Sequence, residues 1–287
     1  KKHTMMKTSI LLFFVSFLGI ICINSQIPAS FPKNTDMMET IDSAYIRVWY
    51  ALNAVDINDP KTYDDMQCLE MGAITQKYYS YLVYKSDSSV TAWGNKNKGA
   101  GAKPRSIGNL GKTKWTQYKY SEFFTFISKN SFIEYTNMPL YMEKYNCFYE
   151  EKIPFQDWQI KSDTMTVAGF LCQKAECNFR GRDYIAWFSP QIPANSGPWK
   201  FNGLPGLILK VQDKDEHYVF ECVGISFLEK KQPIRLYESY KKYPPIERNK
   251  LLKLQNLIAE DWVNAAGLIV TSGKKPKKNI FYTLELE

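Results

Sequence analysis

The chain has 287 residues, of which 45% are hydrophobic, 15% aromatic and 23% charged. This balance excludes a disordered chain, which needs low hydrophobicity and high net charge, and a mean hydropathy of −0.36 excludes a multi-span membrane protein. Six cysteines are too few for a small disulfide scaffold, and the formal charge is +8.

In chain order, the first segment reads as a secretory signal. Lys1, Lys2 and Lys7 form a positive start, and residues 10–23 are apolar except for Ser16 and Gly19. That run falls short of the about 20 residues a bilayer span takes, so export followed by cleavage is expected over residues 1–25. The expected cut lies between Ser25 and Gln26. A lipoprotein signal on Cys22 is the rival, set back by the bulky Ile20 and Ile21 before it, and an uncleaved anchor is the other alternative. Cleavage removes three lysines and no acid, taking the formal charge from +8 to +5. It leaves Cys68, Cys147, Cys172, Cys177 and Cys222, with His217 as the one histidine.

Residues 44–53 alternate, with Ala44, Ile46, Val48, Tyr50 and Leu52 on one side, which predicts a strand. Residues 66–71 and 78–84 read as two more strands. Residues 96–114, rich in glycine and lysine, read as a long surface loop, and residues 131–149 as extended. In the second half, 157–160, 164–179, 184–188, 207–212 and 218–227 are strand candidates. Residues 180–183 and 213–216 suit hairpin turns. Leu251, Leu254, Ile258, Trp262 and Ala265 recur at helical spacing between Pro244-Pro245 and Gly267, which predicts an amphipathic helix. Residues 280–286 alternate again and suggest a last strand. No repeat and no linker divide the chain. The expected fold is therefore one mainly β domain over residues 26–287: a curved antiparallel sheet or partial barrel with one C-terminal amphipathic helix.

The residue inventory excludes much chemistry. One histidine cannot make a multi-histidine metal site or an HExxH motif, and GxSxG, P-loop, GxGxxG and CxxC patterns are missing. Asp213, Asp215 and Glu216 form an acidic turn without the spacing of a calcium loop. Lys274, Lys275, Lys277 and Lys278 around Pro276 read as a solvated turn rather than a polyanion patch. No metal, no cofactor and no nucleic acid partner are expected, nor a transmembrane segment after the signal. If residues 164–179 form one strand, Cys172 and Cys177 lie about 16 Å apart along it, beyond the roughly 7 Å a disulfide spans. Cys222 is the better partner in principle, five cysteines leave at least one unpaired, and the pairing stays open.

Residues 169–211 resemble the GLPGLI family, through Gly203-Leu204-Pro205-Gly206-Leu207-Ile208. The likeness extends over Cys172-Gln173-Lys174-Ala175, Phe179-Arg180-Gly181-Arg182, Ala186-Trp187-Phe188, Ile192-Pro193 and Gly197-Pro198-Trp199-Lys200-Phe201. The resemblance implies an exported, β-rich, largely uncharacterised protein of Bacteroidota-type bacteria, in the periplasm or at the outer membrane, with a link to outer-membrane uptake systems. It implies no activity. Leu204-Pro205-Gly206-Leu207 fits a type II turn, glycine supplying positive φ at its third place. Residues 189–206 then form a proline-stiffened loop carrying Trp199, Phe201 and Leu204. This loop either closes the core or, with Trp187, rims an apolar concavity. Arg180 and Arg182 either clamp a carboxylate or phosphate or decorate a solvated hairpin tip. The expected function is a non-enzymatic binding or accessory module for an apolar small molecule or an outer-membrane protein. A thiol- or carboxylate-dependent enzyme and a purely structural assembly factor are the alternatives.

Overall fold

The computed structural model describes residues 27–111, 115–268 and 283–286. The signal segment, the four lysines of 274–278 and most of the expected last strand lie outside them. The described residues form eleven strands and three α-helices. They are β1 (Met38–Leu52), β2 (Asp65–Gly72), β3 (Thr75–Ser80), α1 (Tyr81–Lys96), α2 (Gln117–Tyr120), β4 (Ser121–Phe126) and β5 (Ser131–Thr136). There follow β6 (Cys147–Lys152), β7 (Gln159–Val167), β8 (Phe170–Phe179), β9 (Arg182–Ser189), β10 (Leu207–Asp213), β11 (Val219–Tyr237) and α3 (Arg248–Ala265).

All eleven strands join one open antiparallel sheet in the order β6-β5-β4-β3-β2-β1-β11-β10-β9-β8-β7. Two meanders thus meet where the first strand pairs with the last. The fold is mainly β, as the alternating segments predict. Its curvature follows from one contact. Eight strand spacings separate β6 from β9, about 38 Å in a flat sheet. Yet Arg180, at the tip between β8 and β9, meets Glu151 of β6 at 2.5 Å. The sheet must wrap round to bring them together. Register shifts at Tyr45 in β1, between Ile208 and Lys210 in β10, and between Ile160 and Thr164 in β7 mark where it bends.

Period two sorts the side chains onto the inner face in rows. Ile46, Met71, Gln76, Thr125, Phe132 and Glu151 succeed one another across β1 to β6. Beside them run Val48, Leu69, Tyr78, Phe123, Glu134 and Tyr149. The main core fills this concavity, with α3 contributing Leu251, Ile258 and Trp262. On the outer face, Phe124 joins Tyr237 and Tyr240 in a smaller cluster. Lys77 and Lys33 there pair with the buried Glu122 at 2.9 and 3.6 Å.

Several elements depart from expectation for local reasons. Residues 78–84 are not one strand: β3 stops at Ser80, whose hydroxyl accepts Val83 N at 3.2 Å and caps α1. The buried stripe of α1 is Val83, Ser86, Asp87 and Val90, and its two polar members hide the helical period. Residues 164–179 divide at Ala168 (φ 48°) and Gly169 (φ 83°), which make a tight hairpin turn between β7 and β8. Extended chain over 131–149 is interrupted by a short helical turn at Glu143–Tyr145. The 180–183 hairpin forms as read, with Arg180 at φ 49° and Gly181 at φ 80°. Residues 97–111 carry no helix or strand, and 283–286 form no strand.

Candidate functional site

A cavity of about 310 Å³ opens on the inner face between strands β2 to β5 and residues 193–202. Tyr78, Phe123, Phe132, Trp199 and Phe201 supply aromatic wall, while Gln76, Thr125, Ser196 and Asn202 supply polar groups. Tyr45 and Ile127, 40% and 46% exposed, stand at its mouth with Asn195. The strand positions follow from period two: Gln76 and Tyr78 sit two apart on β3, as do Phe123 and Thr125 on β4.

The loop side is held rigidly. Ser196 Oγ donates to Gln76 Oε1 at 2.8 Å, and Ile208 N donates to Ser196 O at 2.9 Å. A Cβ on Gly197 would stand 2.8 Å from Ile208 Cβ, so only glycine lets loop and β10 approach. Phe201 N donates to Pro198 O at 3.1 Å, closing a turn in which Trp199 takes φ 54°. A bulky residue there is a true backbone outlier, costing about 1–3 kcal/mol. Its ring is buried beside Phe201, centroids 5.3 Å apart.

The Gly203-to-Ile208 motif works differently from a type II turn. Gly206 N donates to Leu204 O at 2.8 Å, a two-residue closure over Pro205, and Gly206 is not among the positive-φ glycines. It is needed for space: a Cβ would meet the Ser189 main chain, with its carbonyl carbon at 2.6 Å. Gly203 is the residue with positive φ, at 91°.

Behind the cavity lies a buried ionic cluster. The Lys200 ammonium, on a side chain 1% exposed, contacts Glu285 and lies 3.4 Å from Glu151. Glu285 also binds Arg180 at 2.8 Å and Arg248 at 2.5 Å. Burial alone would raise the Glu285 carboxyl, but Lys200 and Arg180 hold it below the usual carboxylate range. Nearby Glu134 goes the other way, because burial outweighs Lys200 and the Ser121 hydroxyl. The Lys200 ammonium also sits over the rings of Trp199, Tyr149 and Phe132, at 5.0, 5.1 and 5.3 Å.

Trp199 and Phe201 line the cavity and also belong to the main core, together with Leu204, Leu207 and Ile208. Trp187 points away from Tyr184, Ala186 and Phe188 on β9, and is half-buried. Arg180 holds Glu151 and Glu285, and Arg182 holds Asp213 at 3.1 Å. Both arginines thus grip carboxylates, and those carboxylates belong to this chain. Sequence reasoning passed over Gln76, Thr125, Glu151, Arg248 and Glu285. Gln76 had a signal, as a polar residue two before Tyr78 in a strand; Glu285 had none, being 37 to 105 residues from its partners.

The five cysteines of the described residues are all free and buried. Burial pushes Cys68, Cys147, Cys177 and Cys222 up to about 12, and Cys172 to about 11. This is the reverse of what a nucleophilic thiol needs. Asp213, Asp215 and His217 bring ligand atoms within 4.8 Å of one another. Asp213 is already engaged with Arg182 and accepts Tyr218 N at 2.7 Å. No helix of the described residues is long and apolar enough to cross a membrane.

Residues 180–210 match a family model described as a protein of unknown function, Porph_ging. The match covers the heart of the stretch that resembles the GLPGLI family and carries neither that name nor an activity. No curated protein matches the chain. Two crystal structures of PNGF-II, in the P21 and C2 space groups, align with a TM-score of 0.45 each, at 11% and 10% identity. They cover 74% and 75% of this chain and 33% of PNGF-II in each case, so the chain spans about a third of that protein's length.

Proposed function

We propose that the protein is a non-enzymatic binding module of the cell envelope that holds a small apolar molecule in the inner-face cavity. The observation that carries this reading is the cavity itself, about 310 Å³ and walled by aromatic rings. Its wall sets these rings beside the Gln76, Thr125, Ser196 and Asn202 side chains. Its size falls at the lower end of ligand pockets, and its few amide and hydroxyl groups suit one or two polar atoms on an otherwise apolar ligand. A rigid loop holding a strained Trp199 beside it gives preorganisation, which lowers the cost of binding. Export to the periplasm or outer membrane, and service to an uptake system there, complete the proposal and rest on the signal-like start and the family resemblance. Residues 26–287 would act as one unit.

The test is mass spectrometry of the protein recovered from an oxidising envelope, native and then denatured. The proposal expects a native mass above the denatured one by that of a small molecule. Thr125→Trp, which fills the cavity from a half-buried strand position, should abolish the difference while leaving the circular dichroism spectrum unchanged. Equal native and denatured masses, or an adduct that Thr125→Trp retains, would overturn it. The denatured mass also reports whether the chain starts at Gln26.

A further inference from the structure

The outer face carries a second cavity, of about 300 Å³, between the sheet and the start of α1. Its floor is a row that period two sets across three strands: Arg47 on β1, Glu70 on β2 and Lys77 on β3. Helix α1 adds Tyr81 and Tyr84, three residues apart and so on one helical face, and β11 adds Arg235. The Tyr79 and Tyr84 rings meet edge to face, with centroids 5.6 Å apart.

Most charges of this cavity are matched. Arg47 turns two nitrogens onto one carboxylate oxygen, with Nε at 2.8 Å and Nη2 at 2.7 Å from Glu70 Oε1. Tyr79 OH donates to the same oxygen at 3.3 Å. The Lys77 ammonium, on a side chain 2% exposed, meets Glu122 at 2.9 Å and donates to Arg235 O at 2.9 Å. That last bond ties β11 down at Arg235. Two groups are left over among the described residues. Glu70 is 4% exposed, yet its Oε2 accepts no hydrogen bond. The Arg235 guanidinium, on an exposed residue, has no carboxylate partner. Burial raises the Tyr84 hydroxyl and the Arg235 charge opposes it, so the guanidinium acts on the cavity. A carboxylate oxygen kept from water without a donor is costly, and a donor on a ligand removes that cost.

We propose that this cavity binds a zwitterion of the α-amino acid class, its ammonium on Glu70 Oε2 and its carboxylate on Arg235. Tyrosine faces suit the ammonium, which the ring quadrupole attracts, and a guanidinium suits a carboxylate. A plain anion would meet the Glu70 charge. A plain amine would meet Arg235 and Lys77 with no carboxylate to answer them. The site lies on the opposite face of the sheet from the inner cavity, and the inference does not depend on that cavity's having a ligand.

The test is calorimetric titration of the full chain with L-phenylalanine, whose ring suits the tyrosine wall. Phenethylamine, which lacks its carboxylate, and hydrocinnamate, which lacks its ammonium, are titrated beside it. L-phenylalanine should bind, and each truncated analogue should bind at least tenfold more weakly. Arg235→Gln changes an exposed side chain that the core does not need, and it should weaken L-phenylalanine at least tenfold. Thr125→Trp should leave the titration unchanged, which separates failure here from failure of the inner-cavity proposal. Three results would overturn the inference: no binding of L-phenylalanine at millimolar concentration, an analogue bound as tightly as L-phenylalanine, or a folded Arg235→Gln that binds as wild type does. Binding that Thr125→Trp abolishes would overturn the assignment to the outer face.

Discussion

Lys200→Met tests whether the buried ammonium organises the centre of the molecule. Methionine keeps most of the length and the contact with the Trp199, Tyr149 and Phe132 rings, and removes only the charge. Glu285 would retain Arg180 and Arg248, at 2.8 and 2.5 Å, while Glu151 would retain Arg180. Removing one partner from a buried pair costs about 3–5 kcal/mol. With these arginines still in place the low end applies, so about 3 kcal/mol is expected. For a chain of this size that lowers Tm by roughly 6–12 °C. Thermal and urea unfolding followed by circular dichroism measure it. The double variant with Glu285→Gln should be destabilised by at least about 1 kcal/mol less than the sum of the single variants, because the two groups contact each other. A Tm within about 2 °C of wild type, or simple additivity, would refute the reasoning.

Other outcomes follow from the same geometry. Gly206→Ala should lose about 1–3 kcal/mol or more in urea unfolding, since its Cβ meets the main chain of Ser189; a neutral effect would show that the loop gives way. All five thiols should resist a thiol reagent at pH 8 in the folded protein and react in urea, because burial holds them near 11 to 12; fast labelling of any one would contradict its buried placement. Burial also raises Asp65 and Asp87 to about 6 from an unfolded value near 3.8. The folded chain then binds more protons between about pH 4 and 6, so their contribution to stability falls as pH rises through that window. The depressed Glu285 works oppositely, its stabilisation being lost at lower pH. Urea unfolding should find a shallower loss between pH 4 and pH 6 in Asp65→Asn than in wild type, and an equal slope would refute the assignment.

The sheet was largely legible because period two is a local signal: residues 44–53, 184–188 and 207–212 fall within β1, β9 and β10 or at their ends. The Arg180-Gly181 turn and α3 were legible for the same reason, through turn chemistry and helical spacing. The strand break at Ala168-Gly169 was not, because alanine gives no hint of its φ of 48°. Helix α1 was hidden by Tyr81 and Val83, which favour strands, and by a stripe half made of Ser86 and Asp87. At the site, Trp199 and Phe201 could be picked out from a stiff aromatic loop. Their surroundings could not, because Gln76, Glu151 and Glu285 join them only through a sheet curved enough to bring β6 against the β8–β9 tip. The role of Gly206 was misread as dihedral freedom, since only tertiary structure shows the Ser189 carbonyl lying against it.

The most direct test of the binding proposal is a crystal structure of the protein purified from its own envelope without added ligand. The account predicts density for a small apolar molecule between Trp199, Phe123 and Gln76, with Ser196 still latched to Gln76. A cavity holding only ordered water, or one closed by its own side chains, would contradict it.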